Sequence, residues 1–494
     1  MANSFDQMNH FKKQTLEEVA KRAYEGTLSK DSANEIAFNM IKREDTRVRC
    51  CIYKEREIIR ERAYLAMGYA PDGTEAKKGQ FVYVLEAACD DCKIHKVRIT
   101  DNCRKCLFKA CVNACKFNAI YEGDTKMHIA YDKCKACTMC ARACPYGSIL
   151  VSDRPCHRAC PTGALKYIEN HIAEIDEEHC INCGQCSAAC PFGAISEVSQ
   201  IVPVINDMKA GKKVIAMVAP AIVGQWEKSH LNQVYAALKA IGFTDIIEVA
   251  VGADLTTKNE TEEAVEAHKE GKKITTSCCP AFVSYIQMKY PDVYMNHTSD
   301  VLSPMAITGR IAREKFGPEA KTVFIGPCVA KKAERLLLKN IRNIDYVLTF
   351  EEITAMMNAR NVNPTEMPDV SQDVEAGSLA GRNFCVTGGV GASLNTYLEE
   401  IGSDTRLTLK IASGPQMVVQ CVRDLAKGKQ SEDVLEGMMC EGGCMGGVDS
   451  QIPNLLIAKA HASKENIAVK DVKIAATNDN HSTINCHFNK ETNE

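Results

Sequence analysis

No apolar run in the 494-residue sequence approaches the ~20 residues that a transmembrane helix needs. The opening residues, MANSFDQMNHFKKQTLEE, have no apolar stretch of the kind that marks a secretory signal. A soluble chain that stays in the cytoplasm, with no membrane partner, is therefore expected. Charge of one sign is also lacking: 60 Lys and Arg against 63 Asp and Glu leave a net −3, so no nucleic-acid partner is indicated. The twelve histidines show no metal-ligand spacing. The length itself suggests two to four domains.

What the chain has in excess is cysteine, 26 residues in all. In a reducing compartment such a number reads as metal ligands or catalytic thiols, not as a disulfide framework. Eighteen of them fall between Cys50 and Cys190. Four segments there end alike: CKFNAI (115–120), CPYGSI (144–149), CPTGAL (160–165) and CPFGAI (190–195). Two half-motifs, Cys134, Cys137, Cys140, Cys144 and Cys180, Cys183, Cys186, Cys190, have the C-x2-C-x2-C-x3-C spacing of bacterial ferredoxins. A third, Cys103, Cys106, Cys111, Cys115, has two extra residues before its third cysteine and Lys116 where Pro is usual. The fourth is split: Cys89 and Cys92 open it, and Cys156 and Cys160 complete it after an insertion.

The reading is one ferredoxin unit nested inside another, with residues 93–155 as the inner unit. In such pairs the fourth cysteine of each half serves the other half's cluster. Four [4Fe–4S] clusters follow. Their ligands are Cys103, Cys106, Cys111 with Cys144; Cys134, Cys137, Cys140 with Cys115; Cys180, Cys183, Cys186 with Cys160; and Cys89, Cys92, Cys156 with Cys190. Zinc sites also use C-x2-C pairs, but seldom three close cysteines with a remote fourth before Pro.

Residues 1–80 carry apolar residues at helical spacing, as in TLEEVAKRAYEG and SANEIAFNMIKRE, and read as an N-terminal helical region. The cysteine-rich ferredoxin-like part spans 81–200. From 201 to 494, β-rich runs each precede a turn and a helical pattern: KKVIAMVAPA, TDIIEVAVG, KKITTSCCPA, KTVFIGPCVAKKAE and NFCVTGGVGAS. This alternation predicts an α/β domain with its chemistry at the strand ends. TGGVGAS (387–393) lacks the lysine of a phosphate loop and reads as a tight strand-to-helix turn.

Three motifs lie at such turns: TTSCCPAF (275–282), GPCVAKKAE (326–334) and EGMMCEGGCMGG (436–447). They supply Cys278, Cys279, Cys328, Cys440 and Cys444: four ligands for a fifth cubane and one spare thiol. At these residues the sequence resembles the [FeFe] hydrogenases, and its variations resemble the divergent group B. The resemblance implies a multidomain α+β and α/β protein, with nested ferredoxin-like domains followed by an H-cluster domain. The H-cluster is a cubane joined through one cysteine to a two-iron unit bearing CO, cyanide and an aza-dithiolate.

By position, the resemblance makes Cys279, Cys328, Cys440 and Cys444 the cubane ligands, with Cys444 bridging. It makes Cys278 the proton-relay thiol and Lys331 the ammonium facing a cyanide. Glu334 completes the second motif. Pro220, Ala221, Gly326, Phe384, Cys385 and Met438 match residues around the two-iron unit. An outward proton route through Glu260, Glu263 and the hydroxyl of Thr298 is expected. The departures are Ala221 for Ser, Phe282 for Trp, Gly326 for Met, Cys385 for Gly and Val448 for Gly.

The implied reaction is 2H⁺ + 2e⁻ ⇌ H2, in anaerobic hydrogen metabolism. Protons and H2 would be the substrates, ferredoxin or flavodoxin the electron partner, and hydrogenase maturation proteins the source of the two-iron unit. The alternatives are a non-catalytic iron–sulfur assembly protein of the same fold, a sensory hydrogenase, or a plain polyferredoxin, which would need no α/β half. Cys50, Cys51, Cys421 and Cys486 belong to no motif and read as structural or idle thiols.

Overall fold

The computed structural model describes residues 4–42, 49–89, 92, 95–167, 172–226, 229–337, 340, 343–371, 373–452 and 455–490. Its ferredoxin part is nested. Val82–Val84 pairs antiparallel with Ile195–Glu197, and inside that ladder Val97–Ile99 pairs with Ile149–Val151. Each unit also carries its own short hairpin, Ile120–Glu122 with Met127–Ile129 and Leu165–Tyr167 with Ala173–Ile175. The inner unit has a self-contained core of Val97, Ile120, Met127, Ile129 and Ile149 packed on its cysteines.

The α/β half holds two parallel sheets. One has the strand order Asp245–Glu248, Val214–Val218, Lys321–Ile325, Tyr346–Leu348. The other has the order Ile274–Thr275, Val434–Met438, Leu409–Ser413. Val214–Val218 and Val434–Met438 are buried along their whole length, as strands covered on both faces must be. The carboxyl ends of both sheets lead into the three cysteine motifs.

One expected strand is absent. NFCVTGGVGAS forms a 3₁₀ turn, Asn383–Cys385, followed by the helix Gly389–Glu400. Phe384 and Cys385 are buried there without a strand partner, so tertiary packing overrides their strand preference.

The N-terminal helices are not a separate layer. Leu16, Val19 and Ala20 of Ser4–Glu25 share one core with Ile201, Ile205, Phe350 and Ile353. Helix Ile52–Met67 joins the two halves of the protein: Ile59 and Ala63 face that core, while Ile58 and Leu65 pack on Leu85, Ala88 and Cys190 of the ferredoxin part. Lys12 reaches Glu197 at 2.8 Å, Glu351 at 2.6 Å and Asp449 at 3.5 Å. One ammonium thus ties the first helix, the outer ferredoxin unit and the segment after the last motif.

A second tie is fully buried. The Lys332 ammonium donates to both Glu352 oxygens, at 2.8 and 2.9 Å, and to the Val198 carbonyl at 2.9 Å. Glu352 also accepts the backbone N–H groups of Gln200 and Thr349. Removing one partner of such a pair strands the other charge out of water. Lys332→Ala is expected to destabilise the cluster-loaded protein by about 3 kcal/mol or more. A urea midpoint that does not move would show that the pair contributes nothing net.

Candidate metal centre

The loops after five strands and turns converge on one cavity of about 90 Å³. Ala219–Ala221, Cys278–Pro280, Pro327–Cys328, Phe384–Cys385 and Met438–Cys440 all contribute to it, with Gly443 and Cys444 at one side. Apart from the thiols and Lys331, its lining side chains are apolar. Cys279, Cys328, Cys440 and Cys444 lie close enough to raise one another's pKa, on top of the larger effect of burial. Cys328 and Cys444 are pushed up to about 12. Four buried sulfurs crowded this way repel as thiolates and are stabilised by a bound cationic centre. None of the 26 cysteines is joined in a disulfide. The donor set therefore fits a cubane, and the apolar space beyond Cys444 fits a further compact inorganic group.

The backbone makes room for it. Gly443 has φ +81°, and a Cβ there would come within 2.8 Å of the Cys385 carbonyl and the Thr387 nitrogen. Gly326 does not line the cavity. A Cβ on it would meet the Phe324 ring at 2.7 Å, and it is Phe324 that forms that part of the wall. The expected contact from Gly326 is thus supplied two residues earlier.

Lys331 is buried and enters the cavity. Its ammonium pairs with Glu334 at 2.7 Å and donates to Ser303 Oγ at 3.1 Å. Burial works against its charge, but the Glu334 carboxylate outweighs burial and raises its pKa. Glu334 stands behind Lys331, held by the Ser303 hydroxyl at 2.5 Å, and does not line the cavity. Ser303 was not legible as a site residue; its only sequence signal is Ser-Pro at the start of helix Pro304–Phe316. Cys385 lines the cavity, with its thiol donating to the Arg382 carbonyl at 3.2 Å.

Glu436, the acid of the third motif, is fully buried and accepts the N–H groups of Gly388 and Gly391, both at 2.7 Å. The glycine-rich TGGVGAS turn thus cradles an anion, but the anion is the protein's own carboxylate.

Beside the cavity runs the helix Val249–Lys269, which places Ala253 in the wall and Glu260 two turns further on the same side. Glu260 Oε1 accepts the Ser277 N–H at 2.7 Å and lies 2.8 Å from Ser277 Oγ. The same hydroxyl lies 2.6 Å from the Val301 carbonyl. The Ser277 hydroxyl donates to Glu260 Oε1 or to the Val301 carbonyl, while Glu260 Oε2 is buried with no hydrogen-bond partner among the described residues. Burial pushes its pKa up to about 8, against the lowering effect of the Ser277 bonds. Cys278, next to Ser277, is raised well above the usual thiol range, mainly by burial.

Thr298 is a correction. Its hydroxyl lies 3.3 Å from Thr275 Oγ1 and 3.4 Å from the Val293 carbonyl, and it bonds neither glutamate. Its side chain follows the Thr275–Thr298 bridge, so the hydroxyl beside Glu260 is that of Ser277. Glu263 instead meets the Asp300 N–H at 3.3 Å and His487 Nδ1 at 3.3 Å, near the surface.

In the ferredoxin part the cross-paired cysteines come together. Cys111 is raised by burial and by Cys144 and Cys103, and Cys140 by burial and by Cys134 and Cys115. Cys186 is raised by burial and by Cys183, Cys180 and Cys160, and Cys156 by burial and by Cys190, Cys92 and Cys89. The two halves meet at Cys440. Cys183 lies near enough to act on it, and the Gln185 amide donates to its sulfur at 3.3 Å. Gln185 was invisible to motif reading because it occupies a variable position between ligands.

Cys421 and Cys486 are buried in apolar clusters and do not line the cavity, although the cluster of Cys421 extends to Cys279, Cys328 and Met439 in its wall. Cys50 is exposed beside Cys51.

Residues 212–448 match the family of the iron only hydrogenase large subunit, C-terminal domain. Residues 151–201 match an LdpA Fe-S cluster-binding domain, and 127–150 a 4Fe-4S binding domain. The periplasmic [Fe] hydrogenase large subunit of Nitratidesulfovibrio vulgaris is 30% identical over 364 residues, covering 61% of this chain and 85% of that protein. The chain belongs to the iron-only hydrogenase family. Among other members, iron hydrogenase 1 of Clostridium pasteurianum is 27% identical over 391 residues, covering 67% of this chain and 66% of that hydrogenase. A probable cytosolic Fe-S cluster assembly factor of Anopheles gambiae is 22% identical over 258 residues, covering 42% of this chain and 54% of that protein. The hydrogenase fold is thus shared with proteins named for cluster assembly. Among the described residues, no helix is long and apolar enough to cross a membrane.

Glu260 gives this protein a stability that depends on pH. Its folded pKa lies above the ordinary carboxylate value, so between about 4.5 and 8 the folded state holds a proton that the unfolded chain releases. Stability is therefore lost as pH rises through that window. Glu260→Gln keeps the acceptor for Ser277 and should make the protein more stable than wild type at pH 8 by more than about 1 kcal/mol, with little difference at pH 4.5. Denaturant midpoints of both forms across that range check it; parallel curves would mean that Glu260 is ionised in the fold.

Proposed function

We propose that the protein is an [FeFe] hydrogenase catalysing 2H⁺ + 2e⁻ ⇌ H2 at an H-cluster, with four accessory [4Fe–4S] clusters carrying electrons to and from a ferredoxin or flavodoxin. One observation carries this reading. A fifth thiol, Cys278, not needed for a cubane, shares an apolar cavity with the four ligand thiols and a buried ammonium. A scaffold that only carries cubanes has no use for that cavity. Relatives named as cluster assembly factors favour the second reading, a non-catalytic assembly protein. A sensory hydrogenase has no such observation behind it.

Cys279, Cys328, Cys440 and Cys444 would hold the cubane, and Cys444 the link to a two-iron unit installed by maturation proteins. When bound, that unit supplies an open metal position and a basic amine at which protons and electrons combine. The chain's own residues do the rest. The wall of Phe384, Met438, Met305 and Phe324 keeps bulk water away. Lys331, kept charged by Glu334, provides fixed positive charge for an anionic ligand. Cys278 stays a thiol because burial raises its pKa, so it holds a transferable proton at Sγ. Glu260 exchanges protons around neutrality and sits one helical turn from Glu263, whose partner His487 is half exposed. That sequence leads protons from the surface toward Cys278.

Electrons take the other side, from the Cys180, Cys183, Cys186, Cys160 group to Cys440. With a cubane held at Cys440, the Gln185 N–H would stabilise negative charge on that sulfur. Gln185→Leu should lower that cubane's potential by on the order of 50 mV, taking ~1.5 kcal/mol for a hydrogen bond to a charged group. Redox titration followed by electron paramagnetic resonance reads this; an unchanged potential would remove the bond's role.

The matured protein should contain about 22 iron atoms, display metal-bound CO and cyanide stretches, and evolve H2 from reduced viologen. Cys278→Ala should cut turnover at least ~100-fold with iron content kept. Fully loaded protein with neither turnover nor diatomic stretches would leave the assembly reading in its place.

A further inference from the structure

The third half-motif carries two more residues between its second and third cysteines than the ferredoxin spacing requires. The structure puts those residues outside. In the stretch between Cys106 and Cys111, Leu107 is 98% exposed and Phe108 75% exposed. They directly follow the cluster ligand Cys106. On both sides the backbone turns through left-handed conformations that side-chain-bearing residues rarely adopt, with Lys105 at φ +46° and Lys109 at φ +44°. Both lysines are braced against Glu122, at 3.2 and 2.6 Å. The loop is thus a built protrusion that holds two large apolar side chains in solvent.

The surrounding unit has a matching charge. Residues 93–155 contain twelve Lys and Arg against five Asp and Glu, a net +7, in a chain whose total is −3. Arg104, Lys116, Lys135 and Arg142 are exposed. Nine of the eighteen large apolar side chains left exposed among the described residues lie in this one small unit. Its core is its own, and no other described part of the chain covers these side chains. Apolar centres set in a basic surface mark a contact with an acidic protein, in which charge steers the encounter and the apolar residues hold it.

We propose that Leu107 and Phe108, with their basic surroundings, are the docking site for an acidic one-electron carrier protein, which exchanges electrons with the cluster held by Cys103, Cys106, Cys111 and Cys144. This rests on the electron-transfer reading above and adds to it the point of entry and the charge of the partner. In the step itself, one electron leaves the reduced carrier and reduces that cluster by one unit; no bond forms or breaks.

The test uses the fully loaded protein, a reduced acidic [4Fe–4S] ferredoxin and, separately, reduced methyl viologen, which needs no docking site. The double variant Leu107→Ser with Phe108→Ser should raise the KM for ferredoxin at least tenfold and leave the viologen rate unchanged. Arg104→Glu should weaken ferredoxin binding further at low salt than at high salt. Unchanged ferredoxin KM in the double variant, with viologen turnover intact, overturns the proposal. So does a wild-type dimer that the double variant dissociates while ferredoxin KM stays the same, since the patch would then be a self-contact. If no form evolves H2 with viologen, the hydrogenase reading fails by itself. Calorimetric binding of ferredoxin to wild type, lost in the double variant, would still support the docking site, and equal binding would overturn it.

Discussion

Four thiols, Cys279, Cys328, Cys440 and Cys444, are held together in an apolar cavity where two separate parallel sheets come to their carboxyl ends. Burial and mutual repulsion both work against their ionised forms, so the gathering must be enforced by rigid surroundings and compensated by what the sulfurs bind. Much of the fold supplies that enforcement. Strands buried on both faces aim the loops, and Glu436 locks the third motif onto the turn at Gly388. The Lys332–Glu352 pair fixes the second motif to the ferredoxin part through Val198.

The positive charges follow the same logic at different distances. Lys331 enters the cavity itself and keeps its charge because Glu334 stands behind it. Lys332, one residue on, points the opposite way and is spent on structure. Lys12 gathers Glu197, Glu351 and Asp449 from three parts of the chain. The N-terminal helices thereby become part of the framework that sets the spacing between the outer ferredoxin unit and the α/β half. A small displacement there would be felt at the Gln185–Cys440 contact between the two halves.

In the proposed reading, protons and electrons would enter from different sides. Cys278 and Glu260 lie toward helix Val249–Lys269, whereas Cys440 faces the ferredoxin part. In the reading proposed here, separation keeps the polar path for protons from wetting the apolar wall beside Cys444. It also lets electron supply be extended by adding cluster units without disturbing the site. The nested ladders allow that, since the inner unit closes on Val97–Ile99 and Ile149–Val151 and leaves the outer ladder intact.

The cysteine pattern by itself determined the nested arrangement, the grouping of the cross-paired cysteines and the three motifs of the α/β half. Ligand spacing is a local property, written into consecutive residues by the geometry of a cubane. Helix and strand alternation was legible for the same reason, except around Phe384 and Cys385. There a strand-like composition is folded into a turn, because both side chains are needed in the core and at the cavity wall. Tertiary structure alone decided the contacts of Ser277, Ser303, Gln185 and His487, and it placed the Thr298 hydroxyl beside Thr275 and Val293 instead of beside either glutamate. Each of these makes its contacts with residues distant in the chain, and a single polar side chain outside any motif leaves no periodic trace. The orientation of Lys331 toward the cavity and of Lys332 away from it was likewise settled only by packing, since adjacent residues on a helix point in different directions and the order of the letters does not say which faces in.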